Sequence, residues 1–265
     1  MPRKIQGYGW IPDLPDGRDM LYAAPPKPLA KLPDKVDLRP HCPKPAYDQG
    51  ELGSCTANAI GGALEFSQRK QRLKSVFTPS RLFIYYNERA MIGTIESDSG
   101  ASLRDGIKSV AKRGAPRETT WPYDVDRFTA KPDRESYAEG RKHQAIRYMR
   151  VNQALSQLKG CLAEGFPFVF GFAVYESFVS PAVAESGVVE MPRAHEEFEG
   201  GHAVLAVGYD EGTQRFTVLN SWGRKWGKNG YFTMPYPYLL QSSLSRDFWT
   251  IRRVEGAGRK RKARR

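Results

Sequence analysis

Residues 49–66, QGELGSCTANAIGGALEF, join a glycine-containing turn to the start of an apolar helical pattern. The second half predicts an amphipathic helix, because apolar residues recur at spacings of three and four, at Ala59, Ile60, Ala63, Leu64 and Phe66. Cys55 would then lie at the helix N-terminus, where unpaired backbone N–H groups and the helix dipole favour a thiolate. This position alone is weak support for a reactive thiol, since free cysteines are usually buried and inert.

Three other features supply partners for a cysteine nucleophile. Gln49 precedes Cys55 in the same turn, His202 follows a pair of glycines, and Asn220 opens the run Asn-Ser-Trp-Gly. A cysteine nucleophile needs a base for its proton, a group that orients the base, and donors for the developing oxyanion. His202, Asn220 and Gln49 can fill these three roles in that order.

In this order the four features resemble the papain-like cysteine peptidases, whose signature around the nucleophile is Cys-Gly-(Ser/Ala)-Cys-(Trp/Tyr). The resemblance covers roughly residues 32–250. It implies an α+β fold with a helical left half, an antiparallel β-barrel-like right half, and the active site in the cleft between them. The sequence departs from the signature at Leu52, which replaces the first cysteine, and at Thr56, which replaces the aromatic residue. The first departure removes a disulfide partner, the second changes the packing beside the thiol, and neither touches a reacting group.

The resemblance implies a cysteine endopeptidase, a hydrolase that cleaves peptide bonds through an acyl-thioester. Cys55 would be the nucleophile, His202 its base, and Asn220 the residue that holds the histidine ring. Gln49 and the backbone N–H of Cys55 would donate to the oxyanion. A thiolate paired with protonated His202 should have a pKa below the free thiol value of about 8.5, with bell-shaped activity in pH.

Four residues are expected to contact substrate. Ser99 and Gly100 stand where the family has a glycine-containing segment that pairs with the substrate backbone, although a solvent loop is the alternative interpretation. Gly201 adjoins the expected pocket for the side chain two residues before the cleaved bond and leaves it without a charged wall. We therefore predict an apolar or aromatic preference in that pocket. Trp222 would shield the bond between the catalytic histidine and asparagine from water.

Two other functions fit the same features. If an amine resolved the acyl-enzyme, or if the substrate were a side-chain amide, the site would serve a transferase or a deamidase. A catalytically silent papain-like fold would instead bind a partner through its cleft or its basic tail. New N-termini released from an unstructured peptide would exclude the first alternative, and labelling of Cys55 by an active-site thiol probe would exclude the second.

Composition limits the class of protein and its compartment. The 265 residues, of which 40% are hydrophobic, can bury a core without crosslinks. The N-terminus lacks the apolar run of a signal peptide, so we predict no membrane span, and either a cytoplasmic protein or export by a route that uses no signal peptide. Three cysteines at no metal-ligand spacing argue against a disulfide framework and a zinc site. We expect that the protein needs no metal or cofactor. We also expect that it acts on protein or peptide substrates and that it is a monomer.

The chain is predicted to have three parts. Residues 1–31 are proline-rich and without a regular period, which predicts an extended arm like a short pro-region. Its aromatic residues should pack on the catalytic body, and an arm that covered the cleft would be inhibitory. Residues 32–255 form the catalytic domain, with a helical half at about 46–145 and a β half at about 146–255. Residues 256–265 hold six of the positive charges that contribute to the net charge of +12, and they predict a disordered tail. This tail would either be solvated only or bind acidic partners or nucleic acid weakly.

Helices and strands follow the same division. A threonine cap before Pro79 predicts a second helix, and the pattern predicts further helices at 103–113 and 153–164. Short runs rich in valine and aromatic residues predict strands at 167–174, 202–209, 216–220, 230–234 and 248–252.

Overall fold

The helical half is built around the helix that begins at Cys55. In the computed structural model, which describes residues 8–25 and 31–256, α1 spans Cys55–Lys70, α2 spans Arg81–Ile92 and α3 spans Leu103–Lys112. Fourteen of the sixteen residues of α1 are buried, so this helix lies between its neighbours and the sheet and not at the surface.

The start of α2 differs from the prediction. Ser80 is the N-cap, and its hydroxyl accepts the N–H of Phe83 at 3.1 Å. Thr78 and Pro79 therefore precede the helix, and the threonine cap predicted there is wrong. A serine just before the first turn satisfies one of the free N–H groups, which explains the later start. The end of α3 agrees with the prediction, because Gly114 follows it with φ of +69°.

Four shorter helices follow in the chain. They are α4 at Arg134–Gly140, α5 at Leu155–Ala163, α6 at Pro181–Ser186 and α7 at Tyr236–Leu240. Of these, the sequence pattern predicted only α5. No helix within residues 8–25 and 31–256 is long and apolar enough to cross a membrane.

The β half is a single sheet of eight strands in the described part of the chain. The strands are β1 Leu21–Tyr22, β2 Lys35–Asp37, β3 Ala145–Val151, β4 Phe168–Tyr175, β5 Phe198–Asp210, β6 Arg215–Leu219, β7 Tyr231–Pro235 and β8 Ser245–Val254. Their order is β1-β3-β8-β4-β5-β6-β7, with β2 paired to β5. All neighbours are antiparallel except β1 and β3. The edge strands β1 and β7 do not pair with each other, so the sheet is open. The barrel-like half predicted from the sequence is therefore wrong in this respect.

The sheet has an apolar cluster on each face, and β4 contributes to both. Val169 joins the cluster shared with α1, while Phe168, Phe170 and Phe172 join the cluster on the other face. This alternation is the side-chain period of a strand. The packing brings the N-terminal turn of α1 against β5 and β6, where His202 and the residues after Leu219 lie.

The described part of the arm, residues 8–25, lies across both halves. Tyr22 on β1 is buried against the sheet, and Trp10 is only 9% exposed. Asp19 forms an ion pair with Arg104 on α3 at 2.6 Å. Leu14, in contrast, is 82% exposed. The predicted basic tail falls on residues outside the described range, apart from Gly256.

Candidate active site

The thiol of Cys55 lies at an N-terminus that no side chain caps. Ser54 occupies the N-cap position without a capping bond. Its hydroxyl instead contacts the Tyr123 hydroxyl at 2.5 Å. Backbone N–H groups of Thr56, Ala203 and Gly9 are directed at the sulfur and favour the thiolate. The predicted position of Cys55 at the start of a helix is thus what the structure has.

Gln49 is fixed at both ends of its side chain. Its Nε2 donates to the Leu52 carbonyl at 2.8 Å, and its Oε1 accepts the Ser221 hydroxyl at 2.6 Å. The backbone N–H of Gln49 also donates to the Ser221 carbonyl at 2.8 Å. A primary amide carries two N–H donors, so one remains for a ligand.

His202 on β5 is oriented by Asn220. The Oδ1 of Asn220 is 2.8 Å from His202 Nε2 and also accepts the Ser221 N–H at 2.8 Å. Because an amide oxygen can only accept hydrogen bonds, the ring nitrogen that faces it, Nε2, must carry the proton. The other ring nitrogen, Nδ1, is then the basic one. Trp222 covers this pair, with its ring centroid 4.9 Å from that of His202 and the planes at 32°.

Burial favours the uncharged forms of the two predicted reacting groups. Burial raises the pKa of the Cys55 thiol to about 12, and burial lowers the pKa of His202 to about 4. The low thiol pKa expected from the sequence is therefore not met in this state. The physical reason is that water is excluded from both groups, and desolvation disfavours a charge more than the nearby N–H groups favour it.

The arm accounts for part of this exclusion, because Gly9 and Trp10 lie in the cleft. The N–H of Trp10 donates to the Gly201 carbonyl at 3.0 Å, and the N–H of Ala101 donates to the Gly9 carbonyl at 2.7 Å. Trp10 pairs with Ala101 in the parallel direction. The arm thus pairs with backbone from both halves directly beside Cys55.

The predicted substrate contacts lie around the arm. Gly100 is so close to it that a Cβ would be 2.2 Å from the Gly9 carbonyl oxygen. The backbone bonds of this loop are nevertheless made by Ala101, one residue later. The Ser99 side chain is turned into its own loop, where it contacts the Thr94 hydroxyl at 2.7 Å. A Cβ on Gly201 would be 2.6 Å from the Trp10 carbonyl oxygen.

Three residues that support the site were missed by the sequence interpretation. Asp98 accepts the N–H of Gly53 at 2.9 Å and holds the turn before Cys55. Tyr123 donates to the Gln49 carbonyl at 2.8 Å, and Arg81 donates to the Asp48 carbonyl at 3.1 Å. They lie far from the turn in sequence, so no local pattern pointed to them.

The cysteines and acidic residues form no metal site in the described part of the chain. Cys42, Cys55 and Cys161 are all free and buried. No group of three or more His, Cys, Asp or Glu residues within the described ranges could hold a metal ion.

Comparisons with known proteins identify the family. The model for papain family cysteine proteases matches residues 32–238. An uncharacterized peptidase C1-like protein of Acanthamoeba polyphaga mimivirus is 43% identical over 272 residues, which cover 94% of this chain and 88% of the viral protein. Pro-cathepsin H of Mus musculus is 28% identical over 203 residues, covering 71% of this chain and 55% of the relative. Among solved structures, xylellain, a cysteine protease from Xylella fastidiosa, matches with a TM-score of 0.89 and 44% identity, over 95% of this chain and 97% of that one.

These matches confirm the α+β fold with a helical half and a sheet half, and the resemblance on which it was predicted. The chain belongs to the papain family of cysteine proteases and is a cysteine endopeptidase, a thiol protease that hydrolyses peptide bonds.

Proposed function

We propose that this peptidase cleaves its protein or peptide substrates with Cys55 as the nucleophile and His202 as the base. The observation that carries the proposal is the 2.8 Å bond between His202 Nε2 and Asn220, because it leaves Nδ1 to exchange a proton with the thiol. Asn220 fixes the tautomer and the ring orientation, and Trp222 keeps water from that bond.

The reaction would run in two halves. Cys55 gives its proton to His202 Nδ1, and the thiolate attacks the substrate carbonyl carbon. Gln49 Nε2 and the backbone N–H of Cys55 donate to the oxyanion. As the tetrahedral adduct collapses to the acyl-thioester, the protonated histidine gives its proton to the departing amine. Water then attacks the acyl carbon with His202 as base, and the acid product leaves as the thiol is restored.

The experiment is a comparison of two cysteine variants. Cys55→Ala should abolish cleavage of an unstructured peptide, because no other group forms the acyl-thioester. Cys161→Ala, at a thiol that is equally buried and free, should retain cleavage. New N-termini are counted by mass spectrometry of the products. Retained cleavage in Cys55→Ala, or loss only in Cys161→Ala, would show that the nucleophile is assigned wrongly.

We also propose that the arm of residues 1–31 inhibits the peptidase. The support is that Gly9 and Trp10 use the backbone groups of Ala101 and Gly201 that line the cleft. A substrate chain would need the same space beside Cys55. Deleting residues 1–31 should therefore raise the rate of peptide cleavage. An unchanged or lower rate, with an intact melting transition, would mean that the arm is only structural.

An apolar or aromatic side chain two residues before the cleaved bond is the proposed substrate preference. The support comes from Trp10, whose indole packs where Gly171 has no side chain, since a Cβ there would lie 1.9 Å from the indole ring. Gly201 adjoins the same space and adds no charge. A peptide library should show aromatic or large aliphatic residues enriched at that position. A dominant acidic or basic preference would contradict the proposal.

Two proposals concern partners. A monomeric state is tested by size-exclusion chromatography with light scattering. Weak binding of acidic partners or nucleic acid by residues 256–265 is tested by comparing the retention of the full chain and of residues 1–255 on immobilised duplex DNA. Equal retention of the two proteins at low salt would exclude a role of the tail.

A further inference from the structure

A buried carboxyl group lies behind the first turn of α1. Glu88 on α2 is 0% exposed, and its Oε2 accepts the hydroxyl of Thr56 at 2.8 Å. Thr56 is the residue after Cys55. It stands where the family signature has an aromatic side chain.

The chain makes room for this carboxyl group with a glycine on a third helix. Gly106 lies inside α3, and a Cβ there would be 2.2 Å from Glu88 Oε1 and 2.3 Å from Ile60 Cδ1. Glycine is unfavourable in a helix interior, so its presence reflects the close approach of the carboxyl group. The helices α1, α2 and α3 are therefore closely packed at Thr56, Glu88 and Gly106.

The carboxyl group has no cation to neutralise it in the described part of the chain. Its Oε1 has no hydrogen-bond partner there. Arg89 is the nearby cation, but its guanidinium donates to the backbone carbonyls of Ile95, Ser97 and Phe128. Asp105 on α3 adds like charge. Burial, with Asp105, raises the pKa of Glu88 to about 8 against the opposing effects of the Thr56 hydroxyl and Arg89, which favours the uncharged form at neutral pH.

The charge state of Glu88 matters to Cys55 on the neighbouring helix. A carboxylate at Glu88 would oppose the thiolate, since its negative charge raises the pKa of the Cys55 thiol. The uncharged form avoids this. Its Oε2 still accepts from Thr56 while Oε1 carries the proton, so the contact with the first turn does not require a charge.

We propose that Glu88 is a positioning residue: its Oε2 holds the Thr56 hydroxyl, and with it the first turn of α1, so that the backbone N–H of Thr56 stays in place beside the Cys55 sulfur. The inference rests on the proposed role of Cys55 as nucleophile. Glu88 touches neither substrate nor thiol and acts only through Thr56.

The test uses four variants of the full chain. Glu88→Gln keeps the acceptor, the shape and the neutral charge, and Thr56→Ser keeps the hydroxyl. Thr56→Val removes the hydroxyl with little change of shape, and Glu88→Leu removes the acceptor. Glu96→Gln, at an exposed carboxylate in the helical half, is the matched control. Rates of peptide cleavage and of Cys55 alkylation by iodoacetamide are measured from pH 4 to 8, with Cys55 identified by peptide mapping.

We expect Glu88→Gln, Thr56→Ser and the control to match the wild type at pH 7. Thr56→Val and Glu88→Leu should lower kcat about tenfold to a hundredfold with KM nearly unchanged, because a small misplacement of a reacting group costs that much. Their Cys55 alkylation should also be slower than in the wild type at each pH, because less of the thiol is then present as thiolate. The double variant Thr56→Val/Glu88→Leu should be no worse than the worse single variant, since both remove the same contact.

Two results would overturn the inference. A Glu88→Gln variant as impaired as Glu88→Leu would mean that an acceptor for the Thr56 hydroxyl is not what Glu88 supplies. A folded Thr56→Val variant with wild-type kcat and alkylation profile would mean that the contact positions nothing. Both results are distinct from failure of the catalytic assignment, which is judged by Cys55→Ala alone. If Glu88→Leu does not fold, Thr56→Val and Glu88→Gln still decide the question.

Discussion

Replacement of Gly9 by alanine should release the arm from the cleft. A Cβ at this position would lie 1.5 Å from the Gly53 carbonyl oxygen, far inside any tolerated contact. The Gly53 backbone has little room to yield, because its N–H is held by Asp98 Oδ2 at 2.9 Å. The overlap must therefore be relieved by the arm, whose described residues 8–25 contain no helix and only the two-residue strand β1.

The loss of docking free energy can be worked out from the hydrogen bonds that Gly9 and its neighbours would lose. Three backbone hydrogen bonds hold this part of the arm: Trp10 to Gly201 at 3.0 Å, Ala101 to Gly9 at 2.7 Å, and Ile11 to Ala101 at 2.9 Å. At about 0.5–1.5 kcal/mol each, their loss would cost the docked state about 1.5–4.5 kcal/mol. The open population should rise by about tenfold to a thousandfold, given about 1.4 kcal/mol per factor of ten.

The assay measures how often Cys55 becomes accessible in the full chain. Alkylation of Cys55 by iodoacetamide and cleavage of a short fluorogenic peptide should both accelerate in Gly9→Ala. Gly17→Ala is the matched control, because a Cβ there meets nothing within 4 Å. If Gly9→Ala reacted no faster than Gly17→Ala, while both kept the wild-type melting temperature, the arm would not be what limits access to the thiol.

Two further outcomes are expected. Gln49→Ala removes one donor to the oxyanion and should lower kcat by about 10²–10³, or about 2.7–4 kcal/mol, in steady-state peptide cleavage; a loss below threefold would exclude this role. Burial and the nearby Asp13 of the arm raise the pKa of Asp247 to about 6 from 3.8. While the arm is docked, Asp247 therefore keeps a proton that a solvated carboxyl group would release. This contribution to docking is fully present below pH 3.8 and is lost as the pH rises through about 6. The Cys55 alkylation rate of the wild type, divided at each pH by that of Asp247→Asn to cancel the thiol chemistry, should therefore rise between pH 4.5 and 7.5. A flat ratio would mean that Asp247 does not couple docking of the arm to pH.

The sequence could predict the elements whose residues are apolar on a regular period. The helix after Cys55 and the strand of His202 are both buried against the core, so their patterns are strong. β3 was missed because only its end residues, Ala145 and Val151, are buried, and the five between them give no alternation. An open or closed sheet could not be predicted, because it depends on which edges pair.

The reacting residues could be proposed from their order in the chain, whereas their surroundings could not. Asp98 and Tyr123 act through side-chain hydrogen bonds across long sequence separations, and such contacts leave no periodic pattern. The sequence predicts a substrate contact at Gly100, and in the structure the arm pairs with Ala101, the next residue. Which residue of an irregular loop makes such bonds has no sequence signal. The charge state of Cys55 depended on burial by the arm, which position at a helix N-terminus does not reveal.

The seated arm also decides how the enzyme withstands oxidation. Peroxides attack the thiolate, and a buried thiol with a pKa of about 12 holds almost none of it at neutral pH. An enzyme stored with its arm in place should therefore keep its sulfur reduced in surroundings that would convert an open thiolate to sulfenic and then to sulfinic acid. Under the proposed inhibition by the arm, its removal would expose the thiol, and the peptidase would then be most vulnerable to oxidants while it is active.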